Sequence, residues 1–197
     1  MSNSEIKELK CILVGESGTG KTSLINSLLG SPLNPEETPT LSPSFAPKTV
    51  KIGEKSYKVN IWDTAGQEKF RALTNVFIKD SKLVFLVYDI TDRKSFEELN
   101  YWYSTIIRVL GENVVIGFIA NKQDLYRDEK VREEEIEKYA NEKNGPYRYT
   151  SAINPASFEE FFQEQVKAYD DKTKEIVENV RGTKLNTKKH NKSKKWC

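Results

Sequence analysis

The chain has 197 residues, 37% of them hydrophobic and 30% charged, with a formal net charge of +2. That is enough for one domain with a full core, and no apolar run approaches the roughly 20 residues of a membrane-spanning helix. Two cysteines, Cys11 and Cys197, make no disulfide framework and suit a reducing compartment, and a single histidine, His190, gives little support to histidine catalysis or zinc.

The net charge hides a division. Residues 179–197 hold seven Lys/Arg and no Asp/Glu; taking seven from the 31 basic residues leaves 24 against 29 acidic, a net near −5 for the rest. A mildly acidic body disfavours nucleic acid as a partner. Met-Ser-Asn-Ser-Glu-Ile-Lys at the start lacks the apolar core of a secretory signal, and Ser2 stands where N-myristoylation needs glycine.

In chain order, residues 7–14 read as a buried strand ending in Cys11-Ile12-Leu13-Val14. Gly15-Glu16-Ser17-Gly18-Thr19-Gly20-Lys21-Thr22 follows and fits G-x-x-x-x-G-K-[ST], with a helical pattern over 21–29. Strand, glycine loop and helix are the context of a phosphate-binding P-loop. Glycines let several backbone N–H groups point at phosphate oxygens, and the helix N-terminus adds partial positive charge. Lys21 reaches the β- and γ-phosphates, the Thr22 hydroxyl can ligate Mg²⁺, and Ser23 follows in the first helical turn. The plainer reading is a glycine-rich turn.

Residues 30–44 carry Pro32, Pro35, Pro39 and Pro43 without periodicity, and a loop of that length is usually functional or disordered. Strands follow near 45–52 and 56–62; Pro43 before the first and Pro47 inside it assign it to a sheet edge. Ile61-Trp62-Asp63-Thr64-Ala65-Gly66-Gln67-Glu68 then runs from strand into loop. Beside a P-loop, Asp63 can hold Mg²⁺ through water, Gly66 lets its N–H approach the γ-phosphate, and Gln67 can orient an attacking water. The other reading is a strand-end carboxylate capping a turn.

A helix near 69–79, a strand at 83–88 and a helix at 94–110 come next. In that helix Trp102, flanked by Tyr101 and Tyr103, reads as packing and surface with no chemistry attached. The strand 114–120 leads into Asn121-Lys122-Gln123-Asp124, a spacing that suits guanine. A carboxylate at Asp124 accepts from the N1–H and N2–H₂ donors that adenine lacks, Asn121 braces the loop, and the Lys122 stem covers the ring. A charged helix over 131–143, a short strand 147–150 and a last helix 155–178 complete the body. Thr150-Ser151-Ala152 could offer a backbone N–H to the guanine O6, and from about Gly182 the near absence of apolar residues predicts disorder. Alternating strands and helices argue a parallel sheet covered on both faces, with ligands at the carboxyl ends of its strands.

The order and spacing of these elements resemble the Ras superfamily of small GTPases, and among its branches the Rab proteins. The Rab-like stretches are Lys58-Val59-Asn60-Ile61-Trp62-Asp63-Thr64-Ala65-Gly66-Gln67-Glu68, Lys69-Phe70-Arg71-Ala72-Leu73-Thr74 and Leu86-Val87-Tyr88-Asp89-Ile90-Thr91-Asp92, and the resemblance covers roughly residues 7–178. It implies an α/β P-loop small-GTPase domain: a six-stranded, mostly parallel sheet with one antiparallel edge strand and five helices on its two faces. It also implies two loops, 30–44 and 63–78, whose conformation depends on the γ-phosphate. The division that follows is a G domain over 1–180 and a disordered basic tail over 181–197 ending in Cys197. By position, Thr40 would reach Mg²⁺ only with GTP bound, and Phe45, Trp62 and Phe77 match the aromatic triad that Rabs present to effectors. Strand aromatics packing under the loops are the other reading of Phe45 and Trp62. The chain departs from the family where Leu33 replaces an aromatic over the guanine edge, where Ser42-Pro43 follows Thr40-Leu41, and over Val76-Phe77-Ile78-Lys79-Asp80.

Rabs end in a basic segment with geranylgeranylated cysteines, usually two; here Lys194-Lys195-Trp196-Cys197 carries one, outside any C-a-a-X box. One lipid plus a polybasic patch makes an anchor, while a solvated tail or a nuclear-localisation signal are the rival readings. The resemblance thus implies a GTP-binding and GTP-hydrolysing switch of vesicle traffic, using Mg²⁺, in the cytosol and on the cytoplasmic face of an intracellular membrane. Lys21, Gly66 and Gln67 would carry catalysis, with slow turnover because no arginine stands out as a built-in finger. Its partners would be GTP and GDP, an exchange factor, an activating protein, effectors, a prenyl-binding extraction partner and the membrane itself. Competing classes are a module that holds nucleotide without cycling, an ATPase or small-molecule kinase, and another Ras-superfamily branch that is soluble or hydrolyses GTP negligibly. Arf-like proteins need the glycine that Ser2 replaces, and the tail is not acidic as in Ran.

Overall fold

Strand β1 (Ile6–Val14) is the axis of the fold. The computed structural model describes residues 6–32, 40, 44–64 and 71–192, excepting the side chains at 71–74 and 178–192. The other elements are α1 (Lys21–Leu28), β2 (Ser44–Ile52), β3 (Lys55–Asp63), α2 (Arg71–Ile78), β4 (Leu83–Asp89), α3 (Arg93–Glu97), α4 (Leu99–Leu110), β5 (Val115–Asn121), α5 (Glu133–Glu142), β6 (Tyr147–Tyr149) and α6 (Pro155–Lys192), with a 3₁₀ turn over Gln123–Asp128. The strands form one sheet in the order β2-β3-β1-β4-β5-β6. All neighbours are parallel except β2 and β3, where Phe45 faces Trp62 and Pro47 faces Asn60. Proline, which cannot donate to a ladder, therefore sits on the edge strand, as expected.

Alternation along the strands divides the core. Leu9, Cys11 and Leu13 of β1 join Phe85, α1 and α6 on one face, while Ile12 and Val14 join Tyr88, α4 and α5 on the other. All seven residues of β4 are buried, which is why Leu83–Tyr88 is an unbroken apolar run before Asp89. On the α6 side, Phe85 meets Phe158, Phe161 and Phe162 at centroid distances of 5.4, 5.6 and 6.0 Å. Buried Asp170 ties α6 to β3 by accepting from Lys55 Nζ at 2.5 Å and Tyr57 Oη at 2.6 Å, and its second oxygen meets Lys174 Nζ at 2.7 Å.

Two element boundaries differ from expectation. The helix over 94–110 is divided at Glu98, but Glu98 keeps helical angles (φ −69°, ψ −11°), donates to Lys94 O at 3.0 Å and accepts from Trp102 N at 3.2 Å. The two pieces act as one helical run, and among the described residues the expected five helices stand. The last helix continues to Lys192 instead of ending near 178, so the expected disorder is corrected over 182–192. Apolar periodicity marks where a helix packs, not where it stops. Beyond Pro155 no proline interrupts the pattern, and Gly182 alone costs only about 1 kcal/mol relative to alanine.

Candidate nucleotide site

β1 lies between β3 on one side and β4 on the other, so the carboxyl end of β1 opens at the point where strand order reverses. The loop 15–20 lies there. Its conformation demands glycine at two places. A Cβ on Gly15 (φ +152°) would stand 2.1 Å from Val87 O, and one on Gly20 (φ +87°) would stand 2.4 Å from Asn121 Nδ2. Gly20 caps α1 without any side-chain hydrogen bond, and no acidic residue occupies the first turn, so the helix presents its N-terminal N–H groups to the loop. Ser17 and Gly18 are exposed at the loop tip, Ser23 is half-buried in α1, and Thr19 is buried with its hydroxyl donating to Glu16 O at 2.9 Å.

Lys21 is buried, and its ammonium donates to Gly15 O at 2.9 Å and Glu16 O at 2.8 Å. Burial pulls its pKa down to about 8, against the opposing pull of Asp63 and Glu16. Beside it three oxygens converge. Thr22 Oγ1 lies 2.8 Å from Thr40 Oγ1 and donates to Asp63 Oδ2 at 2.8 Å, and Thr40 Oγ1 donates to the same Asp63 oxygen at 3.4 Å. Two hydroxyls and one carboxylate form an all-oxygen donor set, the kind that suits a hard cation such as Mg²⁺. Thr64 fixes the end of β3 by donating to Leu13 O at 2.7 Å.

The residues expected at the base lie at the ends of two strands, β5 and β6. Asn121 is buried; its amide donates to Thr19 O at 2.8 Å, and its carbonyl accepts from Thr150 Oγ1 at 3.0 Å. It thus joins the 15–20 loop to the 150–152 loop. Asp124 is exposed and accepts a short bond from Ser151 Oγ, which also accepts from Ile153 N at 3.1 Å, with half-buried Ala152 between them. Lys122 adopts a left-handed backbone (φ +66°), which carries its stem toward Gly20.

Two positioning contacts had no counterpart in the sequence analysis. Lys122 Nζ pairs with Asp89 Oδ2 at 2.6 Å, and Asp89 ends β4 directly across from Asn121. A lone acid ending an all-apolar strand was the available signal. Trp102 is buried rather than on the surface, and its indole donates to Glu16 Oε1 at 3.1 Å. Nothing in the local sequence links those two residues.

Phe45, Trp62 and Phe77 do come together. Phe45 and Trp62 stack with centroids 5.3 Å apart, and Trp62 and Phe77 stand 6.2 Å apart. Phe45 is 60% exposed, so the group is a surface feature as well as packing. Leu33, Ser42, Pro43, Gly66, Gln67 and Cys197 lie outside the described residues.

A six-stranded sheet of this order, with a glycine loop leaving its central strand, defines the class of Ras-like P-loop proteins. The model of the Ras family matches residues 10–171. The chain is 36% identical over 173 residues to Ras-related protein Rab-21 of Bos taurus, covering 88% of this chain and 78% of that protein. It is 35% identical over 154 residues to GTP-binding protein ypt3 of Schizosaccharomyces pombe (78% and 72%), and 34% identical over 155 residues to Ras-related protein RABA1b of Arabidopsis thaliana (79% and 72%). The chain belongs to the Ras family, as a Rab-like small GTPase: an enzyme that converts GTP to GDP and phosphate and acts in membrane traffic. Proteins of this superfamily are generally Mg²⁺-dependent, and Rab proteins act on intracellular membranes through regulators and effectors. Among the described residues no helix is long and apolar enough to cross a membrane.

Proposed function

We propose that GTP binds with its phosphates on Gly15–Ser23 and its base between the Asn121–Asp124 and Ser151–Ala152 loops. The convergence of Thr22, Thr40 and Asp63 beside the buried Lys21 carries this reading. Thr22 and Thr40 would hold Mg²⁺, with Asp63 behind a water. When bound, Mg²⁺ neutralises charge on the β- and γ-phosphate oxygens. The Lys21 ammonium exchanges its two carbonyl partners for phosphate oxygens and stabilises the charge that spreads over them in the transition state. The Gly66 N–H meets the γ-phosphate, and Gln67 orients the attacking water. Asp124 selects guanine, Lys122 covers the base, and the backbone N–H of Ala152 or its neighbour Ser151 meets O6.

Loss of the γ-phosphate releases Thr40, so the 30–44 and 63–78 loops report nucleotide state. Phe45, Trp62 and Phe77 present that state to effectors; the 60% exposure of Phe45 supports this. An exchange factor and an activating protein supply the missing steps, the latter an arginine worth about 10³–10⁵-fold in rate. Residues 1–180 form the G domain. Residues 181–197 form a basic tail whose lipidated Cys197, with the lysines, binds the cytoplasmic face of an intracellular membrane, and a prenyl-binding partner returns the protein to the cytosol.

Single-turnover hydrolysis of GTP by Gln67→Leu tests the catalytic assignment. Hydrolysis falls while GTP binding stays close to that of the unsubstituted protein. Equal hydrolysis by both proteins would refute the role of Gln67.

A further inference from the structure

An acid in a phosphate-binding loop is an electrostatic problem. Glu16 stands second in the octet, between Gly15, whose carbonyl accepts from Lys21, and Ser17 at the loop tip. Its own carbonyl also accepts from Lys21 Nζ at 2.8 Å. A Glu16 side chain free to turn inward would repel phosphate oxygens and compete with them for the Lys21 ammonium. The fold gives the carboxylate another partner. Trp102 projects from α4, one turn after Glu98, and only 2% of it is exposed. An indole N–H is a donor without acceptor capacity and requires a partner when buried. It meets Glu16 Oε1 at 3.1 Å. A bond to a carboxylate is charge-assisted, hence stronger than a neutral one.

We propose that Trp102 is a positioning residue of the phosphate site, whose indole N–H holds the Glu16 carboxylate off the phosphate path and away from Lys21. The inference rests on the reading of 15–23 as the phosphate loop. It also gives α4, which packs against α2 in the second nucleotide-dependent segment, a direct hold on that loop.

The test is the release rate of fluorescent GDP into excess unlabelled GDP, with Mg²⁺ and the full chain. Trp102→Phe removes the donor and leaves the carboxylate, so release speeds up by about five- to tenfold. Glu16→Gln keeps an acceptor oxygen and removes the charge, and its own release rate is the reference for the double variant. The combination separates positioning from packing: with no charge left to misplace, Trp102→Phe with Glu16→Gln releases GDP within about twofold of the Glu16→Gln rate. If Trp102→Phe does not fold, β-(3-benzothienyl)alanine at position 102 keeps the ring shape and removes only the N–H. Release within twofold of the unsubstituted rate for that replacement or for Trp102→Phe, or a double variant as far above Glu16→Gln as Trp102→Phe is above the unsubstituted protein, overturns the inference while the phosphate-loop reading stands. An unsubstituted chain that retains no GDP overturns both.

Discussion

Replacing Asp89 with asparagine isolates the ion pair behind the base end of the site. Asp89 ends β4 at 8% side-chain exposure, with Oδ2 2.6 Å from Lys122 Nζ. Its other oxygen accepts from Thr91 N at 2.8 Å and Thr91 Oγ1 at 2.7 Å, and its own N–H is bonded to Ser95 Oγ at 3.0 Å. Asparagine has nearly the same shape and retains the Thr91 bonds, but it turns an amide donor toward an ammonium. The substitution therefore removes one ion pair and little packing. Lys122 is 32% exposed, so water screens part of the attraction, and a net loss of about 1–2 kcal/mol is reasonable for so short a pair with one buried partner.

If that loss appears as a loosened Lys122 stem over the base, GDP leaves about 5- to 30-fold faster. Release of fluorescent GDP measures the rate, and melting with and without GDP separates site from fold. The melting temperature without nucleotide changes little, and the rise produced by GDP shrinks. Lys122→Gln behaves alike, and the double substitution adds little, because both remove one interaction. A release rate within twofold of the unsubstituted protein, with the fold intact, would refute the idea that Asp89 aims Lys122.

Three further outcomes follow from the same geometry. Gly20→Ala places a Cβ 2.4 Å from the Asn121 amide at φ +87°, so GDP affinity falls by at least about tenfold in a binding titration. Leu33→Phe supplies the flat face that the Rab resemblance expects over the guanine edge and slows GDP release; an unchanged rate would remove Leu33 from the account of exchange. Burial alone would raise the pKa of Asp170, but Lys174, Lys55 and Tyr57 outweigh it and hold the carboxyl well below its ordinary 3.8. The stability it contributes is thus complete above about pH 4 and is lost as pH falls further, so Asp170→Asn lowers the neutral-pH melting temperature by about 3–6 °C and flattens the acid limb of the curve.

What the sequence makes legible follows from where the physical cause lies along the chain. The buried strands are readable because burial on both faces forces a continuous apolar run, as in β4. The edge strand is readable because Pro47 cannot sit elsewhere in a sheet. The octet 15–22 is readable because its constraints are local: Gly15 must clear Val87 O, Gly20 must clear Asn121, and both demands fall on the loop itself. The end of α6 is not readable, since its apolar face runs out before its backbone does.

The supporting contacts are a different case. Trp102 meets Glu16 from a helix 86 positions away, and no periodicity or motif encodes that meeting. Asp89 reaches Lys122 only because β4 and β5 are neighbours in a register that sets Asp89 beside Asn121. Groups proposed to touch nucleotide come from short, chemically constrained loops, so spacing reveals them. Groups that aim those loops come from whichever strand or helix the sheet order brings alongside. With β1, β4 and β5 adjacent and parallel, their carboxyl ends open on one side of the sheet. An acid at the end of β4 is thereby set beside the loop that follows β5, and that placement belongs to the topology rather than to any stretch of sequence.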